Sequence, residues 1–89
     1  MFEWDENKRK HNHAKHGVDF LDAALIFENP ILIREDTRQD YGETRLMSLG
    51  MVGETVYAVT YTMRGETIRI ISAWQGGRKE YEQYKNRIP

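Results

Sequence analysis

Residues 55–73 constrain the fold more than any other stretch. From Thr55 to Met63 the chain alternates, with Val56, Ala58 and Thr60 set against Tyr57, Val59 and Tyr61. After Arg64-Gly65 it alternates again, Ile68 and Ile70 on one side and Arg69 and Ile71 on the other. Period-two patterning rich in Thr, Val, Ile and Tyr is that of a β-strand, and a glycine-bearing break between two such runs is a hairpin turn. A lone hairpin is marginal in water, so further strands must join it. Thr44 to Leu49 supplies one, ending in a turn near Gly50 to Gly53. Ile31-Leu32-Ile33 begins another that runs into Arg34-Glu35-Asp36, with a polar loop from Thr37 to Gly42 between the two. These four segments read as an antiparallel meander.

The first thirty residues carry the helices. Phe2-Glu3-Trp4 alternates as a short first strand. Asp5 is placed to cap a helix, and the eleven residues after it lack Gly, Pro and β-branched side chains. Lys15-His16-Gly17 ends it with cations in the last turn and a glycine just beyond. This helix has no large aliphatic residue inside it. Its expected packing stripe is Asn7, His11 and Ala14, leading to Val18, while Lys8, Asn12 and Lys15 form a polar stripe on another face. Asp19 caps a second, far more apolar helix through Phe20, Ala23, Ala24 and Phe27, which Asn29-Pro30 stops. Gly76-Gly77 breaks the chain, and Arg78 to Arg87 reads as a last exposed helix docked by Tyr81 and Tyr84. The fold class is therefore α+β: a short N-terminal strand, two helices, a four-stranded antiparallel meander and a C-terminal helix, read as one domain over residues 1–89.

The chain contains no cysteine, which excludes disulfides and thiolate metal sites and suits a reducing cytoplasm, the expected location. Its apolar runs are too short to span a bilayer, and its N-terminus turns polar after Trp4, unlike a secretory signal. The net charge of −1 argues against a generic nucleic-acid binder. The distribution is uneven, however: residues 5–16 carry +2, residues 64–89 carry +3, and residues 17–63 carry −5. Packing the two ends together would place a basic face on an otherwise acidic molecule.

Phe2-Glu3-Trp4-Asp5, Lys8, Asn12 and Lys15-His16-Gly17 fill the pattern F-x-W-D-x-x-K-x-x-x-N-x-x-K-H-G. Phe20, Ala23-Ala24, Phe27 and Pro30 follow, then the run from Asp36 to Arg45, similar to D-x-R-x-D-Y-G-E-x-R. Gly50, Tyr61-Thr62, Arg64-Gly65 and Ile68 to Ala73 complete the set. On these motifs the chain resembles the BrnT family of bacterial toxins from toxin–antitoxin pairs, well over residues 2–73 and more loosely over 78–84. The resemblance implies a fold related to RelE-type ribonucleases and a toxin that cleaves RNA and slows translation. It implies neutralisation by a BrnA-like antitoxin in a hetero-oligomer, with DNA contacted only through that antitoxin. No membrane, metal or other cofactor enters this reading. One junction departs from the pattern: many relatives carry a basic pair after Ile-Ser-Ala, where this chain has Trp74-Gln75-Gly76-Gly77. Arg78 and Lys79 follow at once and offer replacement cations.

Metal-independent RNA cleavage needs a base for the 2′-hydroxyl, an acid for the leaving 5′-oxygen, and cations for the charged phosphorane. His16 is the one histidine inside a family motif, and imidazole chemistry suits proton transfer near neutrality. The plainer account is a cationic helix end that complements the dipole. Lys8, Asn12, Lys15 and Lys79 are candidates for RNA contact, against the alternative of a solvated helix face. Arg45, Arg69 and Arg78 complete the catalytic candidates. Arg69→Ala is expected to abolish toxicity without preventing antitoxin binding. Glu43 lies two residues before Arg45, so an ion pair is the simple account there. His11 and His13 are about 200° apart on a helix, too far to share a metal ion. Tyr57, Tyr61, Tyr81 and Tyr84 serve either base stacking or ordinary packing. Two functions stay open at this level: a toxin ribonuclease, or a catalytically weak binding module acting through antitoxin complex formation and autoregulation.

Overall fold

A computed structural model describes residues 1–88. Five strands form one mixed sheet in the order β1-β5-β4-β3-β2. They are β1 (Phe2–Trp4), β2 (Ile31–Glu35), β3 (Leu46–Val52), β4 (Thr55–Arg64) and β5 (Thr67–Gln75). The expected meander β2 to β5 is antiparallel throughout, and β1 joins it parallel to β5, Phe2 opposite Ile68 and Trp4 opposite Ile70. Helix α1 spans Glu6–His16, α2 Phe20–Ala23, and α3 Arg78–Arg87.

The ends of α1 are those the sequence predicts. The Asp5 carboxylate accepts from the N–H groups of Asn7 and Lys8, and Gly17 closes the helix at φ +71°. Its packing face differs from expectation. Asn7, His11 and Ala14 are exposed, and the residue turned inward is Asn12, 5% exposed. With no aliphatic side chain to bury, α1 is held by polar contacts. The Arg9 guanidinium forks onto Asp19 at 2.9 Å through two nitrogens, and Asn12 grips β5.

The second helix is also shorter than expected. It passes after Ala23 into a 3₁₀ helix over Ala24–Glu28. Three residues per turn bring Ile26 beneath Ala23, and both are fully buried. Ile26 then lies against the backbone of Gly50, where a Cβ would meet the Cβ of Ile26 at 2.6 Å. Gly50 is therefore a strand residue packed close to a helix, and β3 continues to Val52 before turning. Gly50→Ala is expected to lower stability by about 1–3 kcal/mol through overpacking; a thermal melt indistinguishable from the parent would refute that contact.

The sheet has two covered faces. On one, α2 and the 3₁₀ helix bury Phe20, Ile26, Val59, Tyr61, Ile70 and Ala73, with Trp4 and Phe27 beside them. On the other, α3 covers one end, where Tyr84 packs with Leu49, Val56 and Ala58 and its hydroxyl donates to the Pro30 carbonyl at 2.6 Å. Of the two tyrosines expected to dock α3, only Tyr84 does so; Tyr81 is 41% exposed and Ile88 packs instead.

A bulge decides how β5 is read. Tyr61 pairs with Ile70 and Thr60 with Ser72, leaving Ile71 as an extra residue. Strict alternation would put Ala73 on the face of Arg69. The extra residue reverses the parity, so Ala73 enters the first core and Trp74 turns toward the face that α3 covers.

Candidate functional site

Two clefts flank the far end of β5. The first lies between α1 and the strand, lined by Asn7, Lys8, His11, Lys15 and His16 over Ile71 and Ser72, with the buried Asn12 among them. None of the side chains lining it among the described residues is acidic. Its cations all come from α1; β5 contributes only Ile71 and Ser72, so the basic face expected from joining the two ends of the chain does not form at this cleft.

Asn12 explains why this helix sits where it does. β1 covers the outer edge of β5 only as far as Ile70. Beyond it, the Asn12 side-chain carbonyl accepts from Ala73 N–H at 3.1 Å, and its amide donates to Ala73 C=O at 2.7 Å and to Val18 C=O at 3.1 Å. One side chain thus supplies both bonds that a neighbouring strand would make. Both amide protons are spent on the fold, which takes Asn12 out of the expected set of RNA contacts. Lys8 and Lys15, on either side of it along the helix, remain exposed on the cleft.

The second cleft, about 370 Å³, lies between the segment after β2, Trp74 of β5 and the first half of α3. Arg34, Arg38, Lys79 and Gln83 line it over Met47 and Ala58. Asp36, whose side chain is 2% exposed, accepts two bonds from the Arg38 guanidinium, each 2.8 Å. That partnership, aided by the Arg38 N–H, holds the Asp36 carboxyl down at about 2. Arg38 in turn sits 5.8 Å from the centre of the Trp74 ring. The His16 ring of the first cleft lies 6.2 Å from the same tryptophan, centre to centre, so the two clefts are neighbours.

The remaining arginines of the expected catalytic set lie outside both clefts. Arg45 precedes β3, stacks on Tyr41 at 4.0 Å and pairs with Glu43 at 3.5 Å. Arg69 pairs with Glu3 across the β1–β5 ladder. Arg78 projects into solvent with its side chain 92% exposed and meets Glu82 at 3.4 Å. It does not fill the place of a cation at the end of β5; Lys79, one residue on, lines the second cleft. Arg34, Arg38 and Trp74 were not singled out as site residues from the sequence. The signals for them were the departure at Trp74 and the position of Arg38 within the Asp36 to Arg45 motif.

Asp19 and Asp36 give the fold a shared acid limit. The Arg9 guanidinium, and then the Leu21 N–H, hold the Asp19 carboxyl down at about 2. Both carboxyls are depressed from an ordinary 3.8, so their stabilising effect is full above pH 4 and is lost as pH falls toward 2. Melting temperature is expected to fall through that window, and less steeply in Asp36→Asn. An equal acid slope in variant and parent would disprove the contribution of Asp36.

An α+β domain with a basic cleft at a sheet edge and no acid lining it has the form of a protein that meets a polyanion. The chain belongs to the BrnT family: the model for the ribonuclease toxin, BrnT, of type II toxin–antitoxin systems matches residues 4–80. Membership of that family implies an antitoxin partner. No curated protein matches the chain. No helix among the described residues is long and apolar enough to cross a membrane.

Proposed function

We propose that this chain is a toxin ribonuclease that cleaves RNA at the cleft between α1 and β5. The observation that carries this reading is the gathering of Lys8, Lys15, His11 and His16 in a cleft with no acidic wall. In the proposed reaction the 2′-oxygen of the RNA attacks phosphorus, and the bond from phosphorus to the 5′-oxygen breaks. One proton leaves the 2′-hydroxyl and another is delivered to the departing 5′-oxygen. His16 handles one of these transfers, while Lys8 and Lys15 stabilise the charge that builds on the phosphorane. No metal is needed for this chemistry. The fold relation to RelE-type ribonucleases, the slowing of translation and the BrnA-like identity of the antitoxin belong to the same proposal.

Arg45, Arg69 and Arg78 take peripheral places in this version of the site, because their carboxylate partners and positions leave them outside the cleft. Arg69→Ala therefore becomes a discriminating variant: complete loss of toxicity in a folded protein would return Arg69 to the reaction. Inducible expression of the chain alone tests the function itself. Growth arrest with fragmented RNA, reversed by the antitoxin, is the expected result. Unimpaired growth with intact RNA would sink the ribonuclease reading and favour the weak binding module.

A further inference from the structure

We propose that the second cleft is a subsite for one unpaired nucleotide, with the base stacked on Trp74 and the phosphate held by Arg34 and Lys79. The proposal rests on the ribonuclease reading for the identity of the strand. Its own support is a set of residues outside the proposed reaction centre.

The cleft has the size and the chemistry for such a ligand. About 370 Å³ falls within the range of pockets that enclose small molecules. Trp74 is partly exposed there and offers a flat π surface, which any of the four bases can stack on. The Arg38 guanidinium beside that ring is already oriented, since Asp36 holds it at two points and Tyr41 donates to the same carboxylate at 3.2 Å. A fixed planar cation next to an indole makes a wall that favours an aromatic guest. Arg34 and Lys79 are exposed cations with no carboxylate partner among the described residues, free to turn toward a phosphate. Of the acids around the cleft, Asp36 is taken by Arg38 and Glu80 accepts from the Gly77 N–H at 2.9 Å, leaving Glu35 at the rim.

Position then assigns the nucleotide its place in the strand. His16 lines the first cleft, and its ring centre lies 6.2 Å from that of the tryptophan that walls the second. A base on Trp74 therefore belongs to a nucleotide next to the one whose phosphodiester lies at His16. The requirement for a free π face also restricts the ligand to single strands, because a base inside a duplex is already stacked and paired.

The test uses the full ¹⁵N-labelled chain and a short single-stranded RNA carrying 2′-O-methyl groups throughout, which can bind but cannot form the cyclic product. The indole N–H signal of Trp74 is expected to shift saturably. That of Trp4, whose indole donates to Glu6 at 2.8 Å, serves as the internal reference and stays in place. Trp74→Leu is expected to weaken binding about ten-fold or more, as loss of one base stack would, and Trp74→Phe to restore most of it. A double-stranded RNA of the same sequence is expected to leave the Trp74 signal unmoved. The subsite is overturned if saturating single strand does not move Trp74, if the duplex moves it equally, or if folded Trp74→Leu binds like the parent. Should Trp74→Leu fail to fold, the indole shift in the parent chain decides alone. Cleavage of unmodified RNA, measured in parallel, separates the two proposals. Cleavage with a silent Trp74 removes the subsite and keeps the ribonuclease, whereas a responsive Trp74 without cleavage keeps the subsite and removes the ribonuclease.

Discussion

His16→Ala is expected to lower RNA cleavage by about 10²–10⁴-fold while leaving the fold in place, the usual span for loss of a general acid or base. The fold should survive because the helix end does not depend on the imidazole. Gly17 makes the cap with its own backbone, donating to the His13 carbonyl at 2.8 Å in the left-handed conformation that glycine adopts freely. His16 is exposed, and the ring it approaches, Trp74, keeps its other contacts. The substitution removes no hydrogen bond of the helix end, which rests on the Gly17 backbone. His16→Gln sharpens the reading, since it keeps much of the volume and hydrogen-bonding capacity but cannot move a proton. Both variants should therefore bind the 2′-O-methyl strand nearly as the parent does, with the loss confined to turnover. Full cleavage by folded His16→Ala would dismiss His16 and direct attention to His11 on the same cleft.

Asn12→Ala should do the opposite, damaging the fold before the chemistry. The change leaves the Ala73 N–H, the Ala73 carbonyl and the Val18 carbonyl without the partner they have now, in a place where Asn12 itself is 5% exposed. Each orphaned buried group costs about 1–3 kcal/mol, so a loss of about 3–5 kcal/mol is expected even if water recovers some of it. For a chain of this size that is a drop of roughly 15–25 °C in melting temperature. Asn12→Asp is a stringent companion. Its carboxylate still accepts from Ala73 N–H but faces two carbonyl oxygens with no proton to give, so it should be at least as damaging. A melting temperature within a few degrees of the parent for either variant would show that α1 is held by something else. Cleavage should be expressed per folded molecule in this series, because loss of the helix also scatters Lys8, Lys15 and His16.

The local elements were legible because their signals are local. Asp5 and Gly17 bound α1 at the predicted residues, since capping involves the backbone within one turn. The meander followed from alternation and from turns at Gly53 and Gly65, both in the left-handed region. Membership of the family was legible too, from motifs spread along the chain, and it fixes the class of partner. What misled was the choice of stripe: Asn7, His11 and Ala14 were expected to pack, whereas Asn12 is the residue turned inward. Asn12 looked like part of a polar stripe because nothing in a helical wheel shows that the facing strand has an unpaired edge.

The hairpin pattern of residues 55–73 thus determined the antiparallel sheet by itself, because strand periodicity and a two-residue turn act over short chain distances. Only the tertiary structure decided which way the end of β5 faces. A single extra residue at Ile71 reverses the alternation, and an amino-acid pattern is equally consistent with a strand that does or does not bulge there. That reversal turns Trp74 away from the first core and brings it near both His16 and Arg38. Lys8, Lys15 and His16 share one helix, and Arg45 and Arg78 meet carboxylates two and four residues away, so spacing already pairs them. Only the Arg69–Glu3 pair, 66 positions apart, needed the tertiary structure, because β1 lies beside β5 only once the sheet has formed.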